Sequence, residues 1–257
     1  MMQRDVHLRP EDLLKSLQFE KEDFAEIGII SGQAQRAQRC LKFLNNPVKN
    51  FTFLGYTFWT GEYSARGRST SGGKGKRITV GNGGFYAPDS AFITELLCTG
   101  GIKILIRLGS CGALREDIGI GDFIVATGII RGDGATRYYV DDNFFPYVDE
   151  TLSDFLEESL REKGRTHRGK VWTTDALLRE TKDIVNSYIE KGAIAVDMVS
   201  SPFVTIANLY KVRVACILAV SDNLITGQLG FTDLRFFTAE EKMMQASFEV
   251  VERIEDI

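Results

Sequence analysis

The sequence has no uninterrupted apolar run of about eighteen residues, the length a helix needs to cross a bilayer, so no membrane partner is expected. The opening residues, Met1-Met2-Gln3-Arg4-Asp5-Val6-His7, lack the apolar core of a signal peptide, and the expectation is a soluble, cytoplasmic protein. Basic residues are in the minority: 31 Lys and Arg against 35 Asp and Glu leave a net charge of −4. That balance argues against a nucleic-acid surface, whose electrostatic footprint is basic, and leaves small molecules as the expected ligands. Cysteine is scarce as well. Cys40, Cys98, Cys111 and Cys216 stand singly in apolar or helical contexts without a CxxC pair, which points to reduced, buried thiols rather than a zinc or redox centre. No metal site is expected. No repeat, low-complexity tract or linker divides the chain, and 44% apolar residues suffice for a full core, so residues 1–257 are expected to form one domain.

What is present is an alternation. Apolar runs at 27–32, 102–106, 122–130, 169–174, 193–198 and 212–220 read as strands, as do the aromatic and Thr-rich residues 51–81. Helical spacing occupies 34–44, 88–97, 150–163, 180–191 and 238–254, after a short amphipathic stretch at 10–17. The pattern implies an α/β fold: a three-layer α/β/α sandwich with a central mixed, twisted sheet flanked by helices. Ser201 is placed to cap the helix after 193–198, with Pro202 at its first position. The Ser- and Gly-rich residues 69–76 read as a solvated hairpin turn. A P-loop is rejected there, because Gly73 stands where that motif needs Lys and no Ser or Thr follows Lys74.

The stretch most informative about chemistry is Arg107-Leu108-Gly109-Ser110-Cys111-Gly112-Ala113-Leu114, directly after the run 102–106. A buried strand that ends in a cation, a hydroxyl and two glycines, where the backbone can turn sharply, suits an anion. The run 27–31 likewise leaves through Gly32 toward a helix with Arg36 in its first turn, a setting that suits phosphate. Further polar clusters at 81–84, 173–175, 197–198 and 221–222 fall mostly at strand ends, where α/β sheets gather ligands, so one shared pocket is expected.

Arg107 to Ala113, Ser31-Gly32 with Arg36, Val196-Asp197-Met198 and Val220-Ser221-Asp222-Asn223, in this order, resemble the trimeric and hexameric nucleoside phosphorylases, which include purine nucleoside, uridine and methylthioadenosine phosphorylases. His7-Leu8 and Gly132-Asp133-Gly134-Ala135-Thr136 with Phe145-Pro146-Tyr147 are similar to uridine phosphorylase segments. The resemblance implies a reversible pentosyl transfer. Orthophosphate, a co-substrate rather than a cofactor, attacks C1′ of a ribonucleoside and releases the base and ribose 1-phosphate. It implies phosphate contacts from Gly32, Arg36, Arg107 and Ser110, with Arg107 also catalytic. Met198, Asp197 and His7 would serve the ribose, His7 reaching into a neighbouring subunit's site. Leu177, Ser221 and Asp222 would serve the base, Asp222 as the acid at N7 of a leaving purine. A homo-oligomer built from dimers, up to a hexamer, is implied too.

Three positions depart from the family pattern. Val199 stands where a Glu accepts hydrogen bonds from the ribose 2′- and 3′-hydroxyls. Leu54 falls where a neighbour's arginine reaches phosphate, with Lys49 as a substitute nearby. The Gln-x-Arg pair that holds uracil is absent from Thr174-Asp175-Ala176-Leu177-Leu178-Arg179-Glu180, which together with Asp222 favours a purine. The alternatives are a uridine phosphorylase and a catalytically silent protein that binds nucleoside and phosphate.

Overall fold

The computed structural model describes residues 6–64 and 75–254. The expected hairpin turn falls mainly on residues outside that set. The chain runs α1 (Pro10–Ser16), β1 (Ile27–Ser31), α2 (Ala34–Cys40), β2 (Asn45–Phe53), β3 (Tyr56–Tyr63), β4 (Lys76–Asn82), α3 (Ala87–Thr99) and β5 (Ile104–Ala113). It continues through β6 (Phe123–Gly132), α4 (Glu150–Arg161), β7 (Thr166–Thr174), α5 (Lys182–Glu190), β8 (Ala193–Asp197), α6 (Ser200–Leu209), β9 (Arg213–Asn223), β10 (Gln228–Leu229) and α7 (Leu234–Val251).

The continuous apolar runs become the innermost strands. β5 pairs in parallel with β9 along their shared length, and apart from their ends and Ser110 their residues are largely buried, as suits strands covered on both faces. The sheet order is β10-β9-β6-β7-β8-β5-β1-β4-β3-β2, with β9 also pairing to β5. The expected mixed central sheet with flanking helices is therefore what forms. One half goes further, since β5, β9, β6, β7 and β8 close on themselves as a ring while β1, β4, β3 and β2 extend from β5. α3 packs on α6, and α4 on α7. Leu54 and Gly55 make the two-residue turn of the β2–β3 hairpin with φ of 51° and 85°, and Leu54 stands 73% exposed at its tip.

Three local expectations are corrected. Residues 107–113 do not turn; they remain in β5, because Gly112 and Ala113 pair with Val196 and Ala195 of β8 and keep the backbone bonded. Ser201 does not cap α6, which begins one residue earlier. Asp197 accepts from the Ser200 backbone N–H instead, and the Ser201 hydroxyl donates to Asp133. α7 starts at Leu234 rather than at 238, because Asp233 accepts from the Arg235 N–H at 2.8 Å. Phe236 and Phe237 thereby enter its first turn. All four cysteines are unpaired and buried, and burial pushes the Cys40 thiol up to about 12. Among the described residues no helix is long and apolar enough to cross a membrane.

Candidate active site

A cavity of about 300 Å³ opens where the β1–α2 turn, the C-terminal half of β5, the end of β8, the end of β9 and α7 meet. Every expected site residue except His7 lines it: Gly32, Arg36, Arg107, Ser110, Leu177, Asp197, Met198, Ser221 and Asp222. His7 is exposed and lies outside the lining of its own chain's cavity.

The anion end is built on two buried arginines. Arg107 places Nη2 2.9 Å from Asp197 Oδ2, while its Nε and Nη1 are buried with no hydrogen-bond partner. Donors shut away from water without an acceptor are costly, so a site of this kind is built for a ligand that supplies one. Gly109 makes the geometry feasible: a Cβ there would stand 1.8 Å from Arg107 Nη1 and 2.3 Å from Leu218 Cδ2. The glycine lets the guanidinium fold back along its own strand. Ser110, half-buried, is its neighbour on β5.

Arg36 is only 2% exposed. Its Nε donates to Glu240 Oε1 at 2.9 Å and Nη2 donates to the same oxygen, while Nη1 lies 3.2 Å from Ser31 Oγ and 3.1 Å from the Leu108 carbonyl. Burial pulls its pKa down, Glu240 opposes that, and the charge of Arg107 adds to the lowering. Arg39 also donates to Glu240, at 2.8 Å. Arg36, Arg107, Glu240 and Asp197 thus form a buried cluster whose charges cancel.

Asp197 sits among several donors. Its carboxylate accepts from the Thr173 hydroxyl at 2.8 Å, from the Ser200 hydroxyl at 2.7 Å and from the Ser200 N–H at 3.0 Å, besides Arg107. These contacts tie the start of α6 to Arg107. The adjoining wall is Met198, half-buried, and Val199, 5% exposed, so methyl groups stand where the resemblance implies a carboxylate.

The part of the cavity around Asp222 owes its shape to a β-bulge. Cys111 pairs with Val220 but Gly112 pairs with Asp222, leaving Ser221 as the extra residue of β9. Such a bulge re-aims the side chains that follow it. The Ser221 hydroxyl sits 3.1 Å from the Cys111 carbonyl and 2.7 Å from Asp222 Oδ1, and a Cβ on Gly112 would come within 2.9 Å of Asp222 Oδ2. Burial raises the Asp222 pKa against the lowering effect of Ser221. Asn223 points elsewhere: its amide donates to the Arg115 and Ile118 carbonyls at 2.8 Å and anchors the loop behind.

Several lining residues escaped the sequence reading. Phe236 and Phe237 of α7, with Phe85 and Phe231, give the cavity an apolar cover, and Glu240 contributes the carboxylate beneath. The adjacent Phe pair at the head of an amphipathic helix was the available signal. Glu180, which follows a short 3-10 turn (Leu177–Arg179), also lines the cavity, and its Oε1 is buried without a partner. Burial, then the charge of Asp222, raises its pKa to about 7. The folded protein therefore holds a proton that the unfolded chain gives up in the ordinary carboxylate range. Stability is expected to fall as pH rises from that range through about 7, and Glu180→Gln to flatten the slope, as read from urea midpoints across pH.

Lys49 is exposed on β2, and Leu54 lines a separate open depression together with Gly32 and Gln33. Among the described residues no group of three or more His, Cys, Asp or Glu is arranged to hold a metal ion.

Residues 26–254 match the sequence profile of the Phosphorylase superfamily. A purine nucleoside phosphorylase DeoD-type of Bacillus thuringiensis (strain Al Hakam) is 30% identical over 223 residues, spanning 85% of this chain and 91% of the relative. One from Jannaschia sp. (strain CCS1) is 30% identical over 208 residues, 79% of this chain and 85% of the relative. Among solved structures, a Toxoplasma gondii purine nucleoside phosphorylase in complex with immucillin-H superposes with a TM-score of 0.80 at 20% identity, covering 97% of this chain and 96% of that one. A Vibrio fischeri ES114 uridine phosphorylase gives 0.81 at 22% identity, covering 91% and 95%. The fold is common to both kinds of enzyme, and the extent of the profile match together with the 30% identical relatives places the chain in a family: it belongs to the phosphorylase superfamily.

Proposed function

We propose that the protein is a nucleoside phosphorylase, cleaving the N-glycosidic bond of a purine nucleoside with orthophosphate to give the free base and ribose 1-phosphate. The observation that carries this reading is the pair of buried, unpartnered donors on Arg107, in a cavity that Asp222 also lines. Arginine suits phosphate because its planar fork donates two hydrogen bonds to one anion. The protein's task is to hold phosphate behind C1′ and to stabilise the negative charge that builds on the departing base. Arg107, Ser110 and Gly32 serve the first purpose, Asp222 the second, and Met198 packs against ribose between them. Arg36 joins the phosphate through the one Nη2 N–H that Glu240, Ser31 and Leu108 leave free. His7, exposed in its own chain, serves a neighbour's site in a dimer-based homo-oligomer.

Incubation with inosine, adenosine, guanosine and uridine, with and without phosphate, tests the reading. Phosphate-dependent release of a purine is expected, and no release from any of the four sinks it. Release from uridine alone moves the protein to the uridine branch.

A second reading, a catalytically silent protein that binds nucleoside and phosphate, is favoured by Val199. Charged hydrogen bonds contribute about 1.5–3 kcal/mol each, so a valine here forgoes roughly 3–6 kcal/mol of grip on two hydroxyls. Val199→Glu is expected to raise kcat/KM on ribonucleosides by 10-fold or more while leaving 2′,3′-dideoxynucleosides unimproved, in steady-state assays.

A further inference from the structure

Leu177 and Glu180 line two cavities at once: the candidate active site and an open outer cleft of about 470 Å³. The cleft lies between the 3-10 turn Leu177–Arg179, the first turns of α5, and Leu224 and Ile225, which follow β9. It begins close to Asp222. A Cβ on Gly112 would stand 2.4 Å from Leu224 Cδ1 and 2.9 Å from Asp222 Oδ2, so a side chain of the cleft and the carboxylate of the site pack over the same glycine. The charge of Asp222 also reaches Glu180, whose Oε1 is buried without a hydrogen-bond partner.

The cleft offers two chemistries. Leu178, Val185, Leu224 and Ile225 make it apolar, with Leu178 left 93% exposed. Arg179 and Lys182, both exposed, make it cationic; they line the cleft and not the inner cavity, and among the described residues neither forms an ion pair. A wall of this composition fits a ligand group with an apolar stem and an anionic end.

We propose that the cleft is a subsite for a substituent on the base, and that the preferred substrate is a purine nucleoside whose 6-amino group carries an extended arm, apolar along its length and anionic at its end. The proposal rests on the phosphorolytic reading above, with Asp222 at N7 of the purine. N7 and the 6-substituent share one edge of a purine, the edge that adenine and guanine present in a major groove. A purine met at N7 by Asp222 therefore turns its 6-substituent toward the neighbourhood of Asp222, where Leu224 and Glu180 open on the cleft. The stem of the arm covers the apolar side chains and is drawn there by the surface it removes from water. Its anionic end meets Arg179 and Lys182, and the single N–H of a 6-alkylamino group finds an acceptor in Glu180 Oε1.

The test compares adenosine, N6-benzyladenosine and N6-(4-carboxybenzyl)adenosine, which add first the stem and then the charge. For the wild type, kcat/KM in phosphorolysis should rise by about 10-fold from adenosine to the benzyl compound. The carboxylate should add a further step of about 3-fold that fades as salt is raised from about 0.02 to 0.5 M. Replacing Arg179 and Lys182 together by Gln should erase the second step and keep the first. Asn186→Trp, which fills the cleft from the exposed side of α5, should collapse the ratio of either armed substrate to adenosine. A wild type that prefers adenosine to N6-benzyladenosine, equal rates on the two armed substrates, or a carboxylate step that survives the paired Gln replacement overturns the proposal. If no nucleoside is turned over, the functional reading fails and the subsite is still measurable. Calorimetry of adenine, N6-benzyladenine and N6-(4-carboxybenzyl)adenine in phosphate buffer should then show affinity rising in that order for the wild type, with the last step lost in the paired Gln replacement. Equal affinities for the three bases overturn the subsite itself.

Discussion

Arg107→Gln is expected to lower phosphate-dependent turnover by about 10²- to 10⁴-fold, with much of the loss in KM for phosphate. The two unpartnered guanidinium donors would each give a charged hydrogen bond of about 1.5–3 kcal/mol to an anion, and every 1.36 kcal/mol is tenfold in rate. Glutamine keeps one short donor group and no charge. Its amide can still reach toward Asp197, which also retains the Thr173 hydroxyl and both Ser200 donors, so the fold should survive with a moderate loss of stability. Arg107→Lys separates charge from geometry: it restores the positive charge without the planar fork, and recovery should be small. Initial rates across a phosphate series, set beside urea unfolding of the same variants, decide the matter. An unchanged KM for phosphate with a proportionate fall in stability would show that Arg107 only holds Asp197 in place.

Much of the site was legible because the chemistry lies at strand ends that composition alone marks out. Arg107, Ser110 and Asp222 each follow or close a long apolar run, and the cavity does gather them. What stayed hidden depended on partners distant in the chain. Nothing local says that Asp197 will be occupied by Thr173, 24 positions earlier, or that Arg36 will meet Glu240, 204 positions later. The glycines of β5 were misread for a related reason. A turn and a close approach both call for the absence of a Cβ, and only the packing of Arg107 on Gly109 and of Asp222 beside Gly112 tells them apart. The ring of strands was equally out of reach, because it depends on β5 and β9 each serving different neighbours along their length.

Glu240→Ala is expected to destabilise the protein by about 3–5 kcal/mol, the usual consequence of stripping one partner from a buried ion pair and a large part of a typical 5–15 kcal/mol total. Arg36, 2% exposed, would keep its charge in the interior with only the Ser31 hydroxyl and the Leu108 carbonyl to receive it. Arg39 retains Glu241 at 3.0 Å, so the effect concentrates on Arg36. The sharper consequence concerns phosphate. Glu240 is the only carboxylate bonded to Arg36 among the described residues, and it competes with a bound anion for the same guanidinium. Removing it should tighten phosphate binding and let phosphate repair part of the lost stability, because a ligand that binds only the folded state stabilises by RT ln(1 + [L]/Kd). Thermal unfolding in 0 to 50 mM phosphate should therefore show a steeper rise of Tm with concentration for Glu240→Ala than for wild type. The double replacement of Arg36 by Met and Glu240 by Leu removes both charges at once. It should regain most of the stability while losing the added phosphate response, since apolar groups of similar volume substitute well for a buried pair but offer an anion nothing. Parallel phosphate responses in wild type and Glu240→Ala would place Arg36 outside the anion site and leave its pairing with Glu240 as a tie between α2 and α7 alone.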